Sequence, residues 1–141
     1  MLDLELPYPP SVNHYFRMVG RRVLISREGR AFRGRVCSIL AALGVRPLDG
    51  PLAVQIEIYP PDNRRRDVDN TLKSLLDALQ HAGAYRDDSQ VVRLAIEKRH
   101  PVEGGRTSVR IGRLGACGNH SNECAARNSS GEITRRPESG K

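Results

Sequence analysis

Arg64-Arg65-Arg66-Asp67-Val68-Asp69-Asn70-Thr71-Leu72-Lys73-Ser74-Leu75-Leu76-Asp77-Ala78-Leu79 is a run of charge that turns into an amphipathic helix. Leu72, Leu75, Leu76 and Leu79 share one face at helical spacing, and Gly83 follows as a stop, so the pattern predicts a helix over Val68–Ala82. Strands are predicted on both sides. Between Pro51 and Pro60, Val54, Ile56 and Ile58 alternate with Gln55 and Glu57. Downstream, Val91 to Arg99 and Thr107 to Ile111 read as two strands joined by Pro101-Val102-Glu103-Gly104-Gly105.

Upstream, Leu2 to Leu6 alternates apolar and polar residues, and Pro7-Tyr8-Pro9-Pro10-Ser11 stops that strand. Tyr15 to Val19, a Gly20-Arg21 turn and Arg22 to Ile25 read as a hairpin. Ser26 suits a helix N-cap. Phe32, Val36, Ile39, Leu40 and Leu43 follow at helical spacing, and Gly44 suits the helix end. The order is β, β-hairpin, α, β, α, β, β. It predicts an α+β domain over residues 1–112, with two helices packed on one mixed β-sheet. Residues 113–141 are rich in Gly, Ser, Asn, Arg and Glu and read as a disordered polar tail. Within them Cys117-x-x-His120-x-x-x-Cys124 has three zinc-type ligands and no fourth, so chance explains it better than a structural zinc site.

The chain has 141 residues, a formal charge of +7 and 38% hydrophobic residues, enough for one modest core. No apolar run approaches the roughly 18 residues of a membrane span. The absence of a secretory pattern and the odd count of three cysteines fit a cytoplasmic location. The charge favours a polyanion as partner, nucleic acid first. Its distribution is more telling. Seven arginines and one acid, Glu28, lie between Arg17 and Arg35. The first 111 residues hold 16 arginines but only two lysines, Lys73 and Lys98. Arginine's planar fork suits phosphate, although a GC-rich genome would also raise arginine content.

The charge run has two readings. In the plainer one, Asp67 caps the helix, and Asp69 with Lys73 at i, i+4 is a surface ion pair worth about 0.3–0.5 kcal/mol. Yet a cap needs only one acid. Here two adjoin Asn70, three arginines precede them, and Asp87-Asp88 sits just before a strand. If the helix returns beside that strand, Asp88 approaches Asp67 and Asp69. Converging carboxylates call for a cation, and magnesium is the natural one for hard oxygen ligands. Lys73 would then stabilise charge on a phosphate or its leaving oxygen. Arg64, Arg65 and Arg66 would hold the nucleic-acid backbone, with the arginine-rich segment from Arg17 to Arg35, Arg17, Arg21 and Arg22 in particular, as the wider basic surface.

Arg-Arg-Arg-Asp-Val-Asp-Asn-x-x-Lys at 64–73, Leu-Asp-Ala-Leu at 76–79 and Asp-Asp-Ser-Gln-Val-Val at 87–92 resemble the RusA family of Holliday junction resolvases. Leu-Pro-Tyr-Pro-Pro-Ser-Val-Asn-His-Tyr-Phe-Arg at 6–17 is similar to that family's opening, so the resemblance covers about residues 2–111. It implies a homodimeric, magnesium-dependent endonuclease that cuts four-way DNA junctions symmetrically. By position, Asp67, Asp69 and Asp88 match the family's metal-binding acids and Lys73 its catalytic lysine. Arg66 matches a DNA-contact position, and Asp87 adjoins an essential acid in a supporting role. Two other functions fit the residues less well: a non-catalytic basic nucleic-acid-binding protein, and a metal-dependent nuclease for other branched DNA.

Overall fold

The computed structural model describes residues 1–114. The expected tail and the Cys117, His120 and Cys124 spacing therefore lie outside the described residues, apart from positions 113 and 114.

In chain order the elements are β1 (Leu2–Leu6), α1 (Val12–Tyr15), β2 (Phe16–Val19), β3 (Arg22–Ile25), α2 (Arg27–Ala42), β4 (Leu52–Tyr59), α3 (Leu72–His81), β5 (Val91–Lys98) and β6 (Arg106–Arg113). Four strands make one mixed sheet in the order β1-β6-β4-β5. β6 runs antiparallel to both β1 and β4, whereas β4 and β5 are parallel. A parallel pair needs a crossover, and the charge run with α3 supplies it. The fold is thus the expected α+β class with a mixed sheet.

The alternation read in the sequence sets the faces. Leu4 and Leu6 of β1, Val54, Ile56 and Ile58 of β4, and Val109 and Ile111 of β6 are buried. They pack with Phe32, Val36 and Leu40 of α2 and Leu75, Ala78 and Leu79 of α3 in one core. Ser26 caps α2 as predicted, its hydroxyl accepting from the Gly29 N–H at 2.9 Å. Gly44 and Gly83 follow α2 and α3 with φ of +68° and +90°, the left-handed turn that ends a helix.

Three expectations are corrected. The β2–β3 hairpin does not join the main sheet but forms its own two-stranded ribbon. Met18, Val23 and Leu24 are exposed on it, and it touches the core at its base, through Phe16 and Ile25. Tyr15 does not begin the hairpin; it ends the one-turn α1, where it is fully buried. A single turn has too few residues to show a period, and the prolines before it hid it. Finally, Val68–Thr71 is a 3₁₀ turn, and the α-helix begins only at Leu72. Val68, Asp69, Asn70 and Thr71 are weak helix formers, so the tighter turn prevails there.

One polar cluster locks the three helices together. Arg33 of α2 pairs with Asp77 of α3 at 2.7 Å, and the Tyr15 hydroxyl donates to the same carboxylate oxygen. Burial pushes the Tyr15 phenol up to about 12, and its bond to Asp77 adds to the shift. Burial alone would raise the Asp77 carboxyl, but the hydrogen bonds from Tyr15 and Arg33 outweigh it and hold the group below its ordinary value. Gly29 sits where this packing is closest: an added Cβ would lie 2.5 Å from the Tyr15 carbonyl oxygen. Asp77→Asn is expected to lower stability by roughly 1–3 kcal/mol, because Arg33 keeps its charge and loses its partner. A depressed carboxyl stabilises fully above the unfolded value of about 3.9, and this is lost as pH falls through the folded value. Urea melts of both proteins at neutral and acid pH check this: the gap should narrow toward acid.

Candidate active site

The charge run leaves the carboxyl end of β4, the edge where ligands gather in sheets with parallel crossovers. Asp62 organises it, a residue the sequence reading passed over. Its carboxylate accepts from Arg66 at 2.6 Å and from the Arg64 backbone N–H at 3.0 Å. Those bonds pull the Asp62 carboxyl down to about 2, the Arg66 bond contributing most. Lys98, at the end of β5, donates to the Arg66 carbonyl oxygen at 2.8 Å. The Arg66 guanidinium also lies 5.9 Å from the Tyr8 ring centroid. Arg66 is therefore fixed in place, while Arg64 and Arg65 are exposed.

Asp67 does not cap the helix with its side chain; only its carbonyl oxygen accepts, from the Asn70 N–H at 3.2 Å. Nor does the Asp69–Lys73 ion pair form. Among the described residues, the Asp67 and Asp69 carboxylates accept no hydrogen bond and join no ion pair. The plainer reading of the run thus loses both of its contacts, and two hard oxygen donors are left available beside a fixed arginine.

Asp87 and Asp88 stand elsewhere. Because β5 is parallel to β4, with Ile56 opposite Ile96, the start of β5 lies at the far end of the sheet from the charge run. Asp87 accepts from the Ser89 N–H at 3.1 Å and completes a capping box with Gln90, closing the turn that precedes β5. The Asp88 N–H donates to Gln80 Oε1 at 3.0 Å, near the end of α3. The ten-residue α3, about 15 Å long, lies between Asp88 and Asp69. Among the described residues no group of three or more His, Cys, Asp or Glu side chains is placed to hold a metal ion. A single protomer brings Asp67 and Asp69 into one short segment and leaves Asp88 apart.

An open cleft of about 620 Å³ adjoins the run. Arg64, Arg65, Arg66, Asp67 and Asn70 form one wall, and Glu28 and Arg35 of α2 form another. Tyr8, Pro9, Pro10, Ser11 and His14 line it as well, which gives the N-terminal motif a place. Pro10 is tied to α3 through its carbonyl oxygen, which accepts from the Ser74 hydroxyl at 2.6 Å. Asn13 is exposed. Arg17, Arg21 and Arg22 are exposed on the β2–β3 ribbon, which leads directly into α2. Arg33 is not free for phosphate, being held by Asp77, and Arg30 donates to the Ile25 carbonyl oxygen. The sequence signal at the cleft is the proline-rich opening, which the pattern alone explains only as the stop of β1.

Residues 7–112 match the family model described as endodeoxyribonuclease RusA. A crossover junction endodeoxyribonuclease RusA of Escherichia coli K12 is 41% identical over 115 residues, which cover 80% of this chain and 95% of that protein. The protein of the same name from Shigella sonnei is 42% identical over the same shares. The one from Enterobacteria phage 82 is 41% identical over 114 residues, 79% of this chain and 94% of the relative.

Proposed function

The chain belongs to the RusA family of endodeoxyribonucleases, and on that premise we propose that it cuts four-way DNA junctions by paired, symmetric nicks, as a magnesium-dependent homodimer. The observation that carries this reading is the pair of unengaged carboxylates, Asp67 and Asp69, beside an arginine run held in place by Asp62 and Lys98. The setting is DNA recombination and repair in the cytoplasm. An odd cysteine count without framework spacing supports that location.

Asp67, Asp69 and Asp88 are the proposed magnesium ligands. The donor set fits: all are carboxylates, and the first two have no competing partner among the described residues. When bound, magnesium lowers the pKa of a water and offsets charge on the scissile phosphate. The protein's own groups do the rest. Arg64, Arg65 and Arg66 hold the backbone phosphates on either side of the cut, with Arg66 already oriented. Lys73 lies one helical turn after Asp69 with no ion-pair partner among the described residues, so its full charge is available to the leaving oxygen. Asn70 lines the cleft beside Asp67. Asp87 supports the turn that carries Asp88. Arg17, Arg21 and Arg22 extend the phosphate-binding surface along the ribbon.

The deciding experiment offers labelled four-way junction, flap, fork and linear duplex to the purified protein, with and without magnesium. Paired nicks near the crossover, magnesium-dependent and much faster than on the other substrates, are expected. Comparable cutting of flaps and forks would replace junctions by branched DNA in general. Tight binding without cutting in any divalent metal would make the protein a binding module instead.

A further inference from the structure

We propose that the β2–β3 ribbon is a wedge: Met18 and Val23 on its apolar face pack on unstacked bases where the arms of a DNA branch part, while its arginines hold the flanking phosphates. This deepens the proposed function and rests on that reading for the branched DNA it names.

The pairing register sets the faces of the ribbon. Residues opposite each other in an antiparallel pair share a face, and the faces alternate along each strand. Phe16 pairs with Ile25 and Met18 with Val23, so these four side chains form one apolar stripe. Phe16 and Ile25 pack against the core. Met18 and Val23 continue the stripe about 7 Å further out. There they are 70% and 61% exposed. On the opposite face, Leu24 pairs with Arg17 and Val19 with Arg22. Val19 and Leu24 are exposed as well. So many exposed apolar side chains on strands this short mark a surface that meets a partner.

The root of the ribbon is held, and its tip is exposed. The Ser26 N–H donates to the Tyr15 carbonyl oxygen at 2.8 Å, closing the ribbon where α1 and α2 meet. The Ser26 hydroxyl donates to the His14 carbonyl oxygen, and Arg30 donates to the Ile25 carbonyl oxygen at 2.9 Å. A lone two-stranded hairpin is marginal in water, so these contacts at the root are what fix its angle to the body. The ribbon also leaves the fold at the lip of the cleft. His14 and Glu28, which line that cleft, flank it in sequence. A strand laid along the charge run and the cleft therefore passes the foot of the ribbon.

The charge of the ribbon selects the partner. From Phe16 to Arg27 there are four arginines and no acid. Arg17, Arg21 and Arg22 are exposed and join no ion pair among the described residues. A partner that offers flat apolar surface beside regular negative charge is nucleic acid with uncovered bases. Stacked duplex hides its base faces, so only the arginines find partners on it. At a branch point the last base pair of each arm is uncovered. Met18 and Val23 meet it there, as apolar wedges do when they enter between base steps. The ribbon thus turns a general affinity for phosphate into a preference for branched DNA.

The test uses the full chain in EDTA, so that binding is read without cutting. The probe is a four-way junction with a fluorescent base analogue at the crossover that brightens when unstacked. The unaltered chain should brighten it, and the same analogue inside linear duplex should stay dark. Met18→Ser combined with Val23→Ser should abolish the brightening and lower junction affinity at least about tenfold, with duplex affinity unchanged within about twofold. Both side chains are exposed, so the circular dichroism should hold. Met18→Leu combined with Val23→Leu should keep the signal, and so should the control on the other face, Val19→Ser with Leu24→Ser. Equal brightening by the Met18/Val23 serine variant, or an equal loss of affinity for junction and duplex, overturns the wedge. A change in the sedimentation of that variant with no difference in junction binding overturns it in favour of a contact between copies. Brightening without cutting once magnesium is added supports the wedge and removes the junction-cutting reading. Cutting without brightening does the reverse.

Discussion

Asp69→Asn is expected to abolish junction cutting, by at least about 10²–10³-fold, while leaving junction binding close to normal. The substitution keeps the size of the side chain and removes one negative charge. Asp69 makes no hydrogen bond or ion pair among the described residues, so its loss breaks no contact within the protomer. A folding defect is therefore not expected, and the melting temperature should hold. Binding should tighten if it changes at all, because a carboxylate that repels phosphate has gone. A loss of activity with intact fold and intact binding separates a chemical role from a structural one. If nicking persists within threefold of the unaltered protein, Asp69 is not part of the chemistry, and the charge run would have to be read as a binding surface. Single-turnover nicking together with a gel-shift titration gives both numbers from one preparation.

Much of the fold was legible because periodicity reports burial. The leucines of α3, the alternating residues of β4 and the Ser26 cap each carry a local signal, and each element formed where that signal lay. The candidate site was legible only in part. The charge run announced itself, but its internal wiring did not. Asp62 and Arg66 are four residues apart in an irregular loop, where spacing says nothing about contact. The cleft wall from Tyr8 to His14 was hidden because proline-rich turns have no period. Asp88 shows the deepest limit. The sequence gives its distance along the chain from Asp69, whereas the parallel pairing of β4 with β5 decides which end of the sheet it occupies, and strand direction has no local signature. The hairpin carries a local signal, but whether it joins the sheet depends on how far its apolar residues are buried, and beyond Phe16 and Ile25 at its base they are exposed.

Replacing Arg64, Arg65 and Arg66 together by alanine is expected to weaken junction binding by about 10²-fold at low salt and to flatten the salt dependence. Each phosphate contact contributes about 0.9 to the slope of log affinity against log salt on duplex DNA, so losing three lowers that slope by up to about 2.7. The three arginines are not equivalent, and single substitutions should show it. Arg65 is exposed and has no ion-pair partner among the described residues, so Arg65→Ala should remove one phosphate contact and nothing else. Arg66 is bound to Asp62 at 2.6 Å and lies over Tyr8. Arg66→Ala takes from the Asp62 carboxylate its closest cation, leaving the Arg64 N–H at 3.0 Å and a looser Arg64 ion pair at 3.7 Å, and uncovers the tyrosine. It therefore loses an attraction and gains a repulsion, and should cost clearly more affinity than Arg65→Ala. The Asp62 carboxyl, now held at about 2 mainly by Arg66, should move back toward its ordinary range in that variant. Asp62→Asn combined with Arg66→Ala should recover part of the lost affinity by removing the under-compensated charge and releasing Arg64. Gel-shift titrations at several salt concentrations measure all of these together. If the triple variant binds with the same salt slope as the unaltered chain, the arginine run does not lie on the DNA path.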